Sequence, residues 1–249
     1  MMQNVLIYPA GTTKACQTAA RLLAQKGVPV VDHVTPEATH LLLDVPSFQA
    51  DGQLRGGGSP SQLLRTLPER ITLIGGNIPD MYPAAIDLLK DETYITENAA
   101  ITAECAIVLA EQMVPLVLRG NPVLIVGWGR IGKHLARILR ALGAEITVLS
   151  TSEAHRAEAS SFGLRALQVQ ELPASIAQFR VIFNTAPAMM IPKKLSEKCV
   201  DCLKMDLASK PGIEGNDVIH ANGLPGIHAP ESSGKLIAQT ILRLIQEDT

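Results

Sequence analysis

The chain has 249 residues, 47% of them hydrophobic and 18% charged, with a formal net charge of −2 and a pI near 6.3. That apolar content supports a full core and excludes disorder of the bulk, while the acidic balance argues against a general nucleic-acid surface, which needs a basic face. No apolar run reaches membrane-spanning length, and the opening M-M-Q-N-V-L-I-Y lacks the basic segment and long apolar core of a secretory leader, so a cytoplasmic protein is expected.

Cys16, Cys105, Cys199 and Cys202 are few and scattered, as reduced thiols are. Cys199 and Cys202 form a C-x-x-C, but no second pair or nearby histidine completes a zinc site. The pair precedes a predicted strand instead of opening a helix, and reads as two thiols near a strand start.

In chain order, Val5 to Tyr8 predicts a strand closed by Pro9-Ala10-Gly11. Thr12 or Thr13 can cap a helix to about Gln25, with Ala15, Ala19, Leu22 and Leu23 on one face, and Gly27 ends it. Val28 to Val31 and Leu41 to Leu43 read as further strands, an α/β opening. Pro46 to Pro60 has no periodicity and is dense in Gly, Ser and Pro. Such a loop is either functional or a mobile surface segment; its Gly56 to Ser59 can offer successive N–H groups to an anion, with Arg55 beside them. Ser61 to Leu67 predicts a short helix, Ile71 to Ile74 a strand, Tyr82 to Lys90 a helix and Thr93 to Ile95 a strand. Asn98 to about Val117 reads as one long helix, with Glu104 facing into an apolar stretch.

After the break at Arg119-Gly120-Asn121-Pro122, Val123 to Gly132 reads V-L-I-V-G-W-G-R-I-G. A buried strand is followed by Gly127, Gly129 and Gly132 at G-x-G-x-x-G spacing. An amphipathic helix then carries Ile131, Leu135, Ile138, Leu139 and Leu142. The glycines serve a tight turn, close backbone approach to a pyrophosphate, and helix–strand packing. The helix N-terminus supplies N–H groups and a positive dipole end. Strand context is what the motif requires; a glycine-rich turn that binds nothing is the alternative. Strands follow at Glu145 to Ser150, Val181 to Thr185, Cys202 to Leu207 and Val218 to Ala221. Helices follow at Glu153 to Phe162 and Ser232 to Gln246, with G-L-P-G-I-H-A-P (223–230) as a loop. The fold class is α/β: two α/β domains, the second a doubly wound parallel-sheet Rossmann domain, with a cleft between them. The expected division is 1–97, an interdomain helix at 98–118, a nucleotide domain at 119–231, and a helix at 232–249 available to pack back on the first domain.

NAD-binding sheets place an acid at the end of the second strand for the ribose 2′-hydroxyl. Here that strand ends Leu149-Ser150-Thr151-Ser152, without an acid. Ser150, Thr151 and Ser152 can donate to a 2′-phosphate, and Arg156 adds positive charge, so NADP(H) is favoured over NAD(H). Simple capping of the next helix is the other use of these hydroxyls.

From Gly127 onward the chain carries a set of further signatures, with one more in the long helix before it. G-x-G-R-x-G is met by Gly127, Gly129, Arg130 and Gly132, and N-T-x-P by Asn184, Thr185 and Pro187. D-L-A-S-R-P-G is met by residues 206–212 with Lys210 replacing arginine, and G-L-P-G-x-x-A-P by residues 223–230. N-x-x-x-T-x-E is met by Asn98, Thr102 and Glu104. Together these residues resemble the family of dipicolinate synthase A subunits, and the resemblance spans roughly residues 95–245. An arginine expected after the second strand is absent, and His228 stands where the family carries an apolar residue.

The resemblance implies an NADP-dependent oxidation of a dihydro- or hydroxytetrahydro-dipicolinate to the aromatic dicarboxylate. It also implies a partner, a flavoprotein-like second subunit, and a fold similar to D-2-hydroxyacid dehydrogenases. A homo-oligomer is expected. The cofactor site would comprise Gly127, Trp128, Gly129, Arg130, Ile131 and Gly132, then Ser150, Thr151, Ser152 and Arg156. It would be completed by Asn184, Thr185, Pro187, Leu207, Ala208 and Pro225. His228, Glu104 and Lys210 are the candidate catalytic residues: Lys210 and His228 for a carboxylate, Glu104 to take a proton or orient His228. Lys235 and Arg55 are further cations at the expected cleft. Two alternatives stay open. One is a D-2-hydroxyacid-type dehydrogenase, which would want an arginine where Lys210 stands; the other is a non-catalytic NADP(H)-binding regulatory subunit.

Overall fold

The computed structural model describes residues 5–33, 35–49, 52–55, 71–82 and 84–247. Contacts divide the chain into two compact units, Met1–Asn98 with Pro225–Thr249, and Ala99–Leu224.

The first unit is built on a parallel sheet of β1 (Ile7–Pro9), β2 (His40–Leu42), β3 (Thr72–Gly75) and β4 (Ile86–Asp87), in that order. Helix α1 (Lys14–Gln25) is capped by Thr13, whose hydroxyl accepts the Cys16 N–H. It ends at Gly27, where φ is +84°, with Val28 N donating to the Leu23 carbonyl at 3.1 Å. That is a glycine C-cap. Helix α8 (Pro230–Glu247) packs against α1: the Thr18 hydroxyl and Arg21 both donate to Glu231, each at 3.0 Å. A Cβ on Gly234 would lie 2.5 Å from Thr18, so a glycine is what lets the two helices approach this closely.

Several predicted elements differ. Val28 to Val31 is no strand: only Val30 bridges Ile7, and Pro29, with no N–H to give, cannot extend a ladder. Tyr82 to Lys90 is not a helix but a turn, then β4, then a 3₁₀ turn at Leu88–Lys90. The reason is the Asp87 carboxylate, which accepts from the N–H groups of Asn77, Ile78 and Leu89 at 3.0–3.1 Å and ties the segment to the exit of β3. Thr93 to Ile95 lies inside helix α2 (Glu92–Met113), which therefore starts earlier and ends sooner than the predicted 98–117. Asp91 caps it, accepting the Tyr94 N–H at 2.7 Å. Part of the long loop is ordered by an antiparallel bridge between Phe48 and Leu54; Gly56 to Ser59 and the predicted helix 61–67 lie outside the described residues.

The second unit is a six-stranded, all-parallel sheet in the order β10-β9-β8-β5-β6-β7. Its strands are β5 (Pro122–Val126), β6 (Glu145–Leu149), β7 (Arg165–Leu167), β8 (Val181–Asn184), β9 (Leu203–Asp206) and β10 (Val218–His220). This is the doubly wound Rossmann order, which reverses between β5 and β8. Val123 to Val126 are all fully buried, as strands covered on both faces are, and each side chain contributes roughly 1.5–3 kcal/mol by burial. Helices α3 (Arg130–Ala141) and α4 (Glu153–Ser161) follow β5 and β6. The buried stripe of α3 is Gly132, Leu135, Ala136 and Leu139; Ile131, Ile138 and Leu142 are only half-buried. Short helices α5 (Leu172–Ser175) and α6 (Lys193–Ser196) complete the connections, and β7, absent from the sequence reading, forms an edge. The G-L-P-G stretch, predicted as a loop, contains a five-residue helix, α7 (Leu224–His228).

Candidate nucleotide site

The turn between β5 and α3 sits where the strand order reverses, the place where such sheets bind ligands. Its three glycines have different causes. Gly127 has φ +98°, and a Cβ there would lie 2.7 Å from the Thr185 hydroxyl and 3.1 Å from the Ala186 N. A Cβ on Gly132 would lie 2.5 Å from the Gly127 carbonyl oxygen. The protein's own packing requires both. Gly129 has φ −83° and serves as the N-cap of α3 with no side-chain capping bond, and nothing lies within 4 Å of a Cβ built on it. Neither strain nor packing asks for glycine at that position. A side chain would instead fill the space at the start of α3, where dipole and N–H groups favour an anion. The cradle fits a pyrophosphate.

Around this turn the neighbouring strand ends are locked internally. The Thr185 hydroxyl donates to the Val126 carbonyl at 3.0 Å, joining β8 to β5. Asn184, expected to contact cofactor, is fully buried. Its amide donates to the Ala186 carbonyl and to Asp206, at 3.0 and 2.8 Å, so it shapes the N-T-A-P loop instead. Asp206 also accepts from Ala208 N, Gly212 N and Ile213 N at 2.7–3.1 Å. One carboxylate thus folds the whole D-L-A-S-K-P-G loop. Sequence reasoning gives Asp206 no task of its own; the signal available was an acid followed by a glycine six residues on, in a stretch without periodicity. Leu207 and Ala208 are buried, and Pro187 and Lys210 are exposed.

At the end of β6 the hydroxyls divide. Ser150 is 5% exposed and accepts the Ser152 N–H at 3.2 Å; Ser152 caps α4 by accepting the His155 N–H. Both hydroxyls accept backbone N–H groups here, and each keeps its own hydrogen for donation. Thr151 is exposed. Arg156 Nη1 donates to the carbonyls of Ser150 and Thr151 at 2.8 and 3.0 Å, which holds the guanidinium at this strand end with its other nitrogens uncommitted to those bonds.

Trp128, read as a cofactor contact, has its ring buried at 3% exposure and tilted against Phe162 at 6.4 Å. What it offers the turn is backbone. Arg130 is exposed and Ile131 half-buried at the start of α3. Of the candidate catalytic residues, Glu104 is exposed on α2, in place of the expected apolar surroundings, and lies with Lys210 in the second unit. His228 is exposed at the end of α7, and Pro225 is buried; both belong to the first unit, as does the exposed Lys235. Arg55 is exposed as well. Among the described residues no cluster of three or more metal-ligating groups occurs, and no helix is long and apolar enough to cross a membrane.

Fold and turn together define a Rossmann-type nucleotide-binding α/β protein. Residues 86–196 match the family model of the NAD-binding domain of D-isomer specific 2-hydroxyacid dehydrogenases. More particularly, the chain is similar to the A subunit of dipicolinate synthase from Bacillus subtilis, with 32% identity over 171 residues, 65% of this chain and 58% of that protein's length. The crystal structure of the corresponding A subunit from Bacillus halodurans superposes with a TM-score of 0.83 over 98% of this chain and 99% of that one, at 20% identity. The Bacillus subtilis structure gives 0.82 over 100% and 99%, at 23% identity. The fold is therefore that of the dipicolinate synthase A subunit.

Proposed function

We propose that the chain is an NADP-dependent oxidoreductase of the dipicolinate synthase A type, oxidising a dihydro- or hydroxytetrahydro-dipicolinate to the aromatic dicarboxylate. The observation that carries this reading is Gly129, a glycine with open space around it and no internal cause, at the mouth of a dehydrogenase-type turn. When bound, the nucleotide supplies the hydride acceptor. The chain's own part is to bind and orient. N–H groups at the start of α3 hold the pyrophosphate, and the residues after β8 and β9, Pro187, Leu207 and Ala208, complete the cofactor site. Thr151 and Arg156 take the 2′-phosphate, since no carboxylate stands at the end of β6 to repel it.

Lys210 is the proposed anchor for a substrate carboxylate. It is exposed, no ion pair or hydrogen bond occupies it among the described residues, and the Asp206 network fixes the loop that carries it. Glu104 and His228 are the proposed proton-handling groups. A flavoprotein-like partner subunit, a homo-oligomer and a cytoplasmic location complete the proposal; the Bacillus subtilis relative is itself named as one subunit of a synthase.

The test mixes the purified chain with NADP⁺ and the dihydrodicarboxylate, with and without the partner subunit, and follows NADPH. Turnover that Lys210→Ala weakens through substrate affinity, with NADP⁺ binding unchanged, supports the reading. Nucleotide binding with no turnover in either mixture overturns it in favour of a regulatory nucleotide-binding subunit.

A further inference from the structure

Helices α3 and α4 lie over the same region of the second sheet, and between them is a cavity of about 320 Å³. That size is near the lower end of small-molecule sites and suits a single ring with a substituent. Its floor is apolar: Trp128, Ala136, Phe162 and Leu164. Its charged lining is Lys133, Arg137 and Arg140 from α3 and one acid, Glu158, from α4.

These charges are unequally committed. Lys133 donates to Glu158 at 2.7 Å, and this bond, together with the Lys133 charge and a weaker pull from the Trp128 indole, holds the Glu158 carboxyl below its ordinary value. Arg140 spends Nη1 on the Phe162 carbonyl at 2.6 Å. Arg137 is exposed and has no hydrogen bond or ion pair among the described residues. The pocket therefore has one acid already neutralised, two arginines with donors to spare, and two aromatic rings. The indole N–H of Trp128, buried in its wall, is directed at Glu158 without closing to a full hydrogen bond. Phe162 is 54% exposed, so one face of the ring is open to the pocket.

We propose that this groove is a second ligand site, separate from the phosphate turn, for a small anion with a flat apolar body, of the aryl carboxylate class. The ring lies on the open face of Phe162, which Trp128 backs, and the carboxylate meets Arg137 in a charge-assisted hydrogen bond. Charge complementarity selects the occupant: the pocket offers donors and cations, and its acceptor is taken.

Benzoate is the probe, titrated into the intact chain by calorimetry and by emission of Trp128, the single tryptophan. Saturable binding is expected, weakened at least about tenfold in Arg137→Glu, weakened also in Phe162→Ala, and absent with benzyl alcohol. Both substituted residues are exposed, so the fold is retained. Benzoate affinity is expected to survive in Gly129→Val, the variant designed to close the phosphate turn. A wild type that binds benzoate but no nucleotide overturns the proposed function alone. Absence of saturable benzoate binding, equal binding by Arg137→Glu, or benzoate competed away by NADP⁺ and lost in Gly129→Val overturns the second site. Binding of an acidic, aromatic-containing peptide in place of benzoate overturns it too, by assigning the groove to a protein partner.

Discussion

Each unit of this protein has a parallel sheet whose first strand turns sharply into a helix, and the two turns are finished in opposite ways. In the first unit the turn after β1 is filled from within. The buried Asp44 carboxylate accepts from the N–H and hydroxyl groups of both Thr12 and Thr13 at 2.6–3.2 Å. A Cβ on Gly11 would lie 2.7 Å from that carboxylate. The positive end of α1 thus already has its anion. In the second unit the turn after β5 has a glycine N-cap, no side-chain cap and open space at Gly129. A helix N-terminus attracts negative charge in both cases; what differs is whether the chain supplies the charge or leaves room for a ligand to bring it.

The comparison is sharpened most by removing the internal anion. Asp44→Ala leaves four donors without their acceptor at a 2%-exposed position and is expected to lower stability by about 3 kcal/mol, read by urea unfolding. Nucleotide binding by folded protein should persist. A variant as stable as wild type would mean the first turn is not held by that carboxylate.

The reciprocal experiment fills the open turn. Gly129→Val should weaken nucleotide binding about a hundredfold, near 2.7 kcal/mol, by closing the phosphate approach, with unfolding moved by less than about 1 kcal/mol because no strain or clash is created. Gly132→Ala should do the reverse in part and destabilise the fold, since its Cβ meets a backbone oxygen. Equal stability losses in the two variants would erase the distinction drawn between the glycines.

Cofactor choice is a smaller effect. Thr151→Asp places a carboxylate at the end of β6, and should shift the ratio of NADP(H) to NAD(H) affinity toward NAD(H) about tenfold, a charged hydrogen bond gained and lost. Trp128 emission measures it without a label. A wild type that already prefers NAD(H) would dismiss the 2′-phosphate assignment.

The smallest expected effect lies in the first turn. Burial, with the Asp44 charge adding to it, raises the Cys16 thiol from 9.0 to about 12. A raised folded value means the neutral thiol's contribution is full below the unfolded value and is lost as pH rises from there toward about 12. The stability difference between wild type and Cys16→Ser should therefore shrink above pH 9.0, by about 1 kcal/mol for the first pH unit. A difference independent of pH would place Cys16 in contact with water.

What could be read beforehand follows the same divide. The β5–α3 unit was legible because a fully buried strand, glycine spacing and an amphipathic helix are all local patterns. The stretch from Tyr82 to Ile95 was not. Asp87 is bonded to Asn77 and Ile78 across a turn, and this pairing overrides the helical look of the segment. The strand-like Thr-Tyr-Ile-Thr is helical because Asp91 caps it, a cap visible in the sequence at the usual three-residue spacing. In the site, Gly127 to Gly132 were found by spacing. The buried roles of Ser150 and Asn184 were hidden because their partners are backbone groups and a carboxylate, Asp206, that only the folded chain brings beside them.

One connection carries a consequence for how the molecule is made. The chain leaves the first unit near Asn98 and returns to it at Pro225, and α8 then settles on α1 through Glu231 and the bare surface of Gly234. Within the same unit Arg243 donates to Asp91 at 2.7 Å. On the ribosome the earliest strands emerge first yet lack their covering helix until some two hundred further residues are made, whereas the second unit is contiguous and can close as soon as Leu224 is out. The connectivity lets the contiguous unit close before the one whose synthesis began first. The amino-terminal sheet and the apolar side of α1 are thus the part of the chain that waits longest for its cover.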